Sequence, residues 1–152
     1  MRDGREVGGR PQQVFNRTLH YANERQQFAR PIGKFQVVQH QLSVISEHAF
    51  AARTAAQIGC QADGWVPDRL RVAVAKARTS EAALEVAALA HSIYGAIGFT
   101  EEFDLQLFTR RLHAWRQTAG SGSHWQSELG KAQVYSHDGL TLDLLRSTTD
   151  PL

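Results

Sequence analysis

The chain has 152 residues, a formal charge of +2, a sequence pI near 9.0 and a single cysteine. Such a length accommodates one domain with its own core, whereas Cys60 alone excludes an internal disulfide and no histidine and cysteine grouping has metal-site spacing. The basic stretches RLRVAVAKAR and TRRLHAWR read first as solvated helix faces, which admits nucleic-acid binding without supporting it.

At the N-terminus MRDGREVGGR carries charge without a following apolar run, so neither a secretory signal nor a membrane span is expected there. Cytoplasm is the expected compartment, and neither nucleic acid nor a membrane is an expected partner. GGRP reads as a turn into a first helix that starts near Pro11, with Phe15, Leu19 and Tyr21 as its nonpolar anchors. YANERQQFARPIGKFQ then reads as a helix end, a rigid turn and a new helix start.

From Phe35 the residues Val38, Leu42, Ile45, Ala49, Ala52 and Ala56 recur in steps of three and four, predicting one buried stripe on a helix reaching Cys60 or Ala62. Val37, Val44, Ala51 and Ile58 form a neighbouring stripe and widen the face toward two packing partners. ADGWVPD ends that helix, and Pro67 fits the start of the next, expected over Asp68 to Tyr94. Its many alanines permit close helix approach, Leu84, Val86, Leu89 and Ile93 supply larger contacts, and Ser80 need not divide it.

YGAIGFT is a turn in which Gly95 and Gly98 can take positive φ. A fourth helix is predicted over Glu102 to Gln117, capped by Thr100, with Phe103, Leu107, Phe108, Leu112 and Trp115 turned inward. AGSGS stops it, and a short fifth helix fits Ser123 to Val134. The fold expected is all-α, an up-and-down four-helix bundle with a possible additional short helix. The domain is expected to cover residues 1–135, and the tail 136–152, with its leucines, reads equally as a frayed helix or an extended arm.

Chemistry read from residues alone is sparse. His20, His40, His48, His91, His113, His124 and His137 form no HExxH arrangement or triad, and Ser80 and Ser92 lack a strand-to-helix elbow. Arg25 offers a planar donor fork for a phosphate, or pairs with Glu24. Phe28 packs against an aromatic cofactor or against the second helix; Gln36 contacts a nucleotide or holds the turn. These residues by themselves describe a helical bundle with an interface.

Together, YANERQQFARPIGKFQVVQHQL and AHSIYGAIGFTEEFDLQLFTRRL resemble the C-terminal helical domain of acyl-CoA dehydrogenases, over about Val7 to Gly130. The resemblance implies FAD as cofactor and oxidation of an acyl-CoA thioester between its α and β carbons. By this resemblance Arg25 matches the arginine at the FAD phosphates of a neighbouring subunit, with Gln27, Phe28 and Gln36 at further cofactor contacts. Ser92, Ile93, Tyr94, Gly95 and Ala96 match a second contact strip, in which Ser92 stands for the family's Gln and Ala96 for its second Gly. Ala29 likewise stands for a glycine.

No catalytic residue follows from the resemblance. The family's usual carboxylate base falls at Ala119, which cannot accept a proton. Glu102 matches a structural acid. Gly8 and Gly9 match a double-glycine region whose upstream base position lies before Met1, and Glu6 is out of register. A complete family member has an N-terminal helical and a middle β domain as well, so flavin oxidation is expected to need further domains or subunits. The expectation is thus an acyl-CoA dehydrogenase-like C-terminal domain, incomplete by itself, with acyl-CoA bound only in a complete complex. The alternative is a non-catalytic helical assembly or interaction subunit. A homo-oligomer is expected if an edge of the Phe35 to Ala56 face stays exposed, and an acyl-CoA dehydrogenase partner subunit is a further expected partner.

Overall fold

The computed structural model describes residues 3–61, 66–135 and 138–149, which leaves His137 and the Ala62 limit of the second helix outside. Helix α1 spans Asp3–Glu24, α2 Gln36–Gly59, α3 Arg69–Tyr94, α4 Leu105–Gln117, α5 Gly122–Tyr135 and α6 Thr141–Thr149. A two-residue hairpin, β1 Gln26–Gln27 and β2 Arg30–Pro31, joins α1 to α2 through a 3-10 turn at Ile32–Lys34. The first three helices alternate in direction, α4 returns along the C-terminal half of α3, and α5 continues along its N-terminal half. Gly122 of α5 lies against Ser80, and Glu128 pairs with Arg69 at the start of α3.

The apolar stripe predicted on α2 is the core seam. Leu42, Ile45, Ala49, Ala52, Ala55 and Ala56 are buried, and Leu42 and Ile45 share one core cluster with Val14, Ala83, Val86, Ala90, Leu105 and Leu112. Close approach follows from small residues: a Cβ on Gly59 would collide with the Ala75 methyl across the α2/α3 contact. Residues Arg69–Phe99 are long and apolar enough to cross a membrane by composition alone. Here α3 is instead the helix around which α1, α2, α4 and α5 assemble, and that accounts for its apolar content.

Asp68 caps α3, its carboxylate accepting from the Arg71 N–H at 2.8 Å. Ser80 leaves the helix unbroken, with its hydroxyl turned across to the Arg116 carbonyl at 3.5 Å. The tail contains a helix: the Thr148 carbonyl in α6 accepts from the Arg71 guanidinium at 3.2 Å.

Several expectations need correction. Helix α1 begins well before Pro11, because the fully buried proline ring packs in the bundle and offsets the hydrogen bond it cannot donate to Val7. Helix α4 begins at Leu105, with Asp104 rather than Thr100 at its cap position; Thr100 closes the preceding 3-10 turn by donating to the Ile97 carbonyl at 2.8 Å. Leu107 points outward and Leu105 takes the buried position, since the inward face runs through Leu105, Phe108, Thr109 and Leu112 in steps of three and four. Val37 is exposed at the first turn of α2, where no helix covers it. Gly98 does not adopt positive φ; it is buried, and a Cβ there would lie 2.8 Å from that of Tyr94, so close approach is its constraint.

Candidate cofactor-contact site

The segment after Tyr21 folds into a feature that its composition does not announce. α1 ends where Arg25 N–H donates to the Tyr21 carbonyl at 2.8 Å, and Ile32 N–H returns to the Arg25 carbonyl at 2.8 Å. Between these bonds Gln26 pairs with Pro31 and Gln27 with Arg30. The loop of this hairpin is Phe28 and Ala29, at φ 52° and 61°. Both central residues at positive φ is the requirement of a type I′ turn, usually met by Asn-Gly. Here a phenylalanine and an alanine bear the steric cost.

The hairpin presents Phe28 at 87% exposure. Phe35 stands behind it, its ring edge-on at 6.1 Å, with the Arg30 guanidinium 4.2 Å from the Phe35 ring centroid. Arg25, Gln27 and Gln36 are also exposed. The Arg25 guanidinium has no hydrogen-bond or ion-pair partner among the described residues; Glu24 pairs instead with His20 at 3.2 Å. An unengaged guanidinium and an aromatic ring held outward on a strained turn fit a planar, phosphate-bearing ligand.

The second strip lies at the same end of the bundle. Tyr94 stacks on Tyr21 with centroids 4.0 Å apart, and Gln41, just over one turn beyond Gln36, donates to the Ser92 hydroxyl at 2.9 Å. Ser92, Gly95 and Ala96 face outward, whereas Ile93 and Tyr94 are buried in the core. Burial and the nearby Asp104 carboxylate push the Tyr94 phenol up to about 12, and its hydroxyl donates to the Arg17 carbonyl at 3.3 Å. The strip therefore offers a ligand the Ser92 hydroxyl and the Gly95 and Ala96 backbone, but not the side chains of Ile93 and Tyr94. Gly95 has φ 66°, as its place in the turn predicts, and Ala96 avoids positive φ.

Away from this end, the loop between α4 and α5 carries Ala119. Lys76 donates to the Thr118 carbonyl at 2.6 Å, and Trp125 Nε1 to the Ala119 carbonyl at 3.0 Å. Ala119 itself sits at φ 58° with an exposed methyl, so the loop is fixed and carries no proton acceptor at that position. Partial burial holds the Lys76 amine below its ordinary range, consistent with its service to carbonyls rather than to a carboxylate. Glu102 lies in the turn before α4, exposed. Helical backbone is described at Glu6, Gly8 and Gly9, so the double glycine lies inside α1 rather than in a turn before it. Among the described residues no group of His, Cys, Asp or Glu gathers to hold a metal ion.

Sequence reasoning missed Gln41, Lys76 and Trp125. Each acts on a partner distant in the chain or in another element, and none belongs to a recognisable local pattern.

Residues 6–129 match the family described as acyl-CoA dehydrogenase, C-terminal domain. Acyl-CoA dehydrogenase IpdE2 of Mycobacterium tuberculosis is 33% identical over 109 residues, 72% of this chain and 33% of that protein. Glutaryl-CoA dehydrogenase of Desulfococcus multivorans is 32% identical over 117 residues, 76% of this chain and 30% of that protein. The structure of a glutaryl-coenzyme A dehydrogenase in complex with glutaryl-CoA superimposes with a TM-score of 0.82 at 28% identity, over 89% of this chain and 35% of that one. The chain thus spans about a third of the length of its relatives. With a bundle of the same topology and a family match over most of its length, the chain belongs to the acyl-CoA dehydrogenase family, as its C-terminal helical domain.

Proposed function

We propose that this chain supplies the hairpin half of a flavin site to an acyl-CoA dehydrogenase assembly and does not itself supply the catalytic base. The observation that carries this reading is the contrast between two loops. The hairpin holds an unengaged Arg25 and an exposed Phe28 on a strained turn, while the α4 to α5 loop presents an alanine methyl at the position to which the family resemblance assigns the base. FAD, when bound, supplies the hydride acceptor for oxidation between the α and β carbons of an acyl-CoA thioester.

The roles within this chain follow from its exposed groups. Arg25 neutralises phosphate charge, Phe28 covers an aromatic surface, and Gln27 and Gln36 supply amide hydrogen bonds beside them. Ser92 adds a hydroxyl with shorter reach, oriented by Gln41. Ile93 and Tyr94 keep the strip in place from within the core, and Gly95 and Ala96 let the backbone approach. The rest of the site, including the base over the thioester, comes from other domains or subunits.

The test combines the chain with flavin-holding acyl-CoA dehydrogenase subunits, follows FAD by absorbance, and reduces it anaerobically with a panel of acyl-CoA thioesters. Flavin retention and substrate-dependent bleaching are expected only in the mixed complex. Losing a charged hydrogen bond to phosphate, worth about 1.5 to 3 kcal/mol, makes Arg25→Ala weaken flavin binding there by roughly 10- to 100-fold. A stable, folded assembly with no flavin under any combination would refute the flavin role. It would favour the non-catalytic assembly reading, which the alanine at position 119 and the buried Ile93 and Tyr94 side chains also suit.

A further inference from the structure

The turn that carries the second strip is held at its far end by one imidazole. Gly95–Phe99 is a 3-10 turn, and its start, Gly95 and Ala96, is the backbone that the strip offers to a ligand. Its end rests on His91, in the last turn of α3. The Phe99 ring stacks on the imidazole with centroids 4.3 Å apart and planes 17° from parallel, and a Cβ on Gly98 would lie 3.3 Å from His91 Nδ1. His91 Nε2 meets the Thr109 hydroxyl of α4 at 2.9 Å, so the same ring ties α3, the turn and α4 together.

These contacts fix the state of the ring. The Thr109 hydroxyl has the Gln106 carbonyl to donate to at 3.4 Å, which assigns the ring proton to Nε2, donating to Thr109. Nδ1 is then a lone pair, buried beside Gly98 and without a hydrogen-bond partner. A second N–H at that place would be a buried donor facing no acceptor, which is far costlier than an idle lone pair. Burial, and then His113, accordingly hold the His91 imidazole below its ordinary range.

An exit lies beside the ring. A groove of about 570 Å³ runs past His91 and Phe99 between Leu84, Glu85, Ala88 and His113. The charged or titratable groups facing the ring are therefore His113 from α4 and Glu85 from α3; the turn contributes none, and Glu101 and Glu102 just beyond it are exposed. Once in water, an imidazolium in the last turn of α3 is favoured by the helix dipole.

We propose that His91 is a proton-operated latch on the second contact strip: neutral, it clamps the Gly95–Phe99 turn to α3 and α4, and protonated, its ring leaves Gly98 and Thr109 for the groove and frees the turn. The bearing of the latch on flavin rests on the flavin reading above, whereas the latch itself takes no step from it.

NMR titration and amide hydrogen exchange of the full chain without flavin test the latch. The Gly95 N–H, bonded to the His91 carbonyl, and the Thr100 N–H, bonded to the Ile97 carbonyl at 3.1 Å, report on the turn. The His91 ring should titrate below about 6.5, with the Gly95 and Thr100 amide resonances moving at the same midpoint and that of Ile45 in α2 staying in place. Across that midpoint the protection of the two turn amides should fall roughly 5- to 100-fold, the equilibrium equivalent of one buried unpaired donor. His91→Gln and His91→Phe should each flatten both responses. Thr109→Val, which removes the bond from Nε2, should move the midpoint up toward the ordinary histidine value.

Turn amides that respond to pH alike in the wild type and both His91 variants overturn the proposal, as does a His91 ring that titrates while the turn stays in place. A response abolished by His113→Gln rather than by the His91 variants overturns it equally. In the mixed complex with flavin-holding subunits, acidification should release more FAD from the wild type than from His91→Gln. Equal release from both, with the turn responding as expected, upholds the latch and counts against the flavin role of the strip.

Discussion

Replacing Ala29 by glycine should stabilise the protein, the opposite of the usual effect of adding a glycine. Ala29 is the second central residue of the hairpin loop, at φ 61°, where its Cβ crowds the backbone. That conformation costs an L-residue about 1 to 2 kcal/mol, which glycine avoids. Against this, glycine loosens the unfolded chain by about 0.4 to 1 kcal/mol. The net is a gain of about 0.5 to 1 kcal/mol, a rise in Tm of about 1 to 4 °C for a chain of this size.

Chemical denaturation measures the global gain. Hydrogen exchange of the Ile32 amide, which closes the hairpin onto the Arg25 carbonyl, reports whether it arises locally. Ala88→Gly, at an exposed position inside α3, is the control of opposite sign and should cost about 1 kcal/mol. If Ala29→Gly were neutral or destabilising while Ala88→Gly behaved as expected, the positive φ would not be a source of strain, and the argument from strain to ligand contact would fail.

Other outcomes follow from the core and from titration. Ile45→Ala removes a fully buried side chain at the α2 seam and should cost about 2 to 5 kcal/mol in denaturant unfolding. Asp68→Ala removes the α3 cap and should cost about 1 kcal/mol by the same assay. His91 is held below the ordinary histidine value of 6.5 by partial burial and then by His113. The unfolded chain therefore binds the proton more readily, and stability should fall as pH drops below about 6.5, levelling off below the depressed native value. The denaturation midpoint of His91→Gln should decline less over the same pH range than that of the wild type.

The helices were legible because burial and period coincide in them: the α2 stripe is a local pattern with a single structural solution, whereas the capping role of Asp68, one residue before α3, was not read from the sequence. The hairpin was not legible. QQFAR contains neither glycine nor asparagine, so nothing in it marks a turn with two positive φ angles, and the structure adopts one because the bonds from Arg25 and Ile32 close around it. Pro11 misled for the converse reason: a rule about local hydrogen bonding gave way to burial of the ring. In the candidate site, Arg25, Phe28 and Gln36 could be named from resemblance, but periodicity placed Ile93 in the core without showing that Tyr94 follows it there. Gln41 and Lys76 owe their roles to contacts 51 and 42 residues away, which no local window contains.

The two contrasted loops occupy different levels of one scaffold. Ser80 marks the level of the Ala119 loop and Tyr94 that of the hairpin, about 20 Å apart at the rise of an α-helix. At that separation, with no shared partners, changes in one loop should combine with changes in the other almost additively. The bundle should therefore tolerate substitution at the Ala119 loop without disturbing the hairpin.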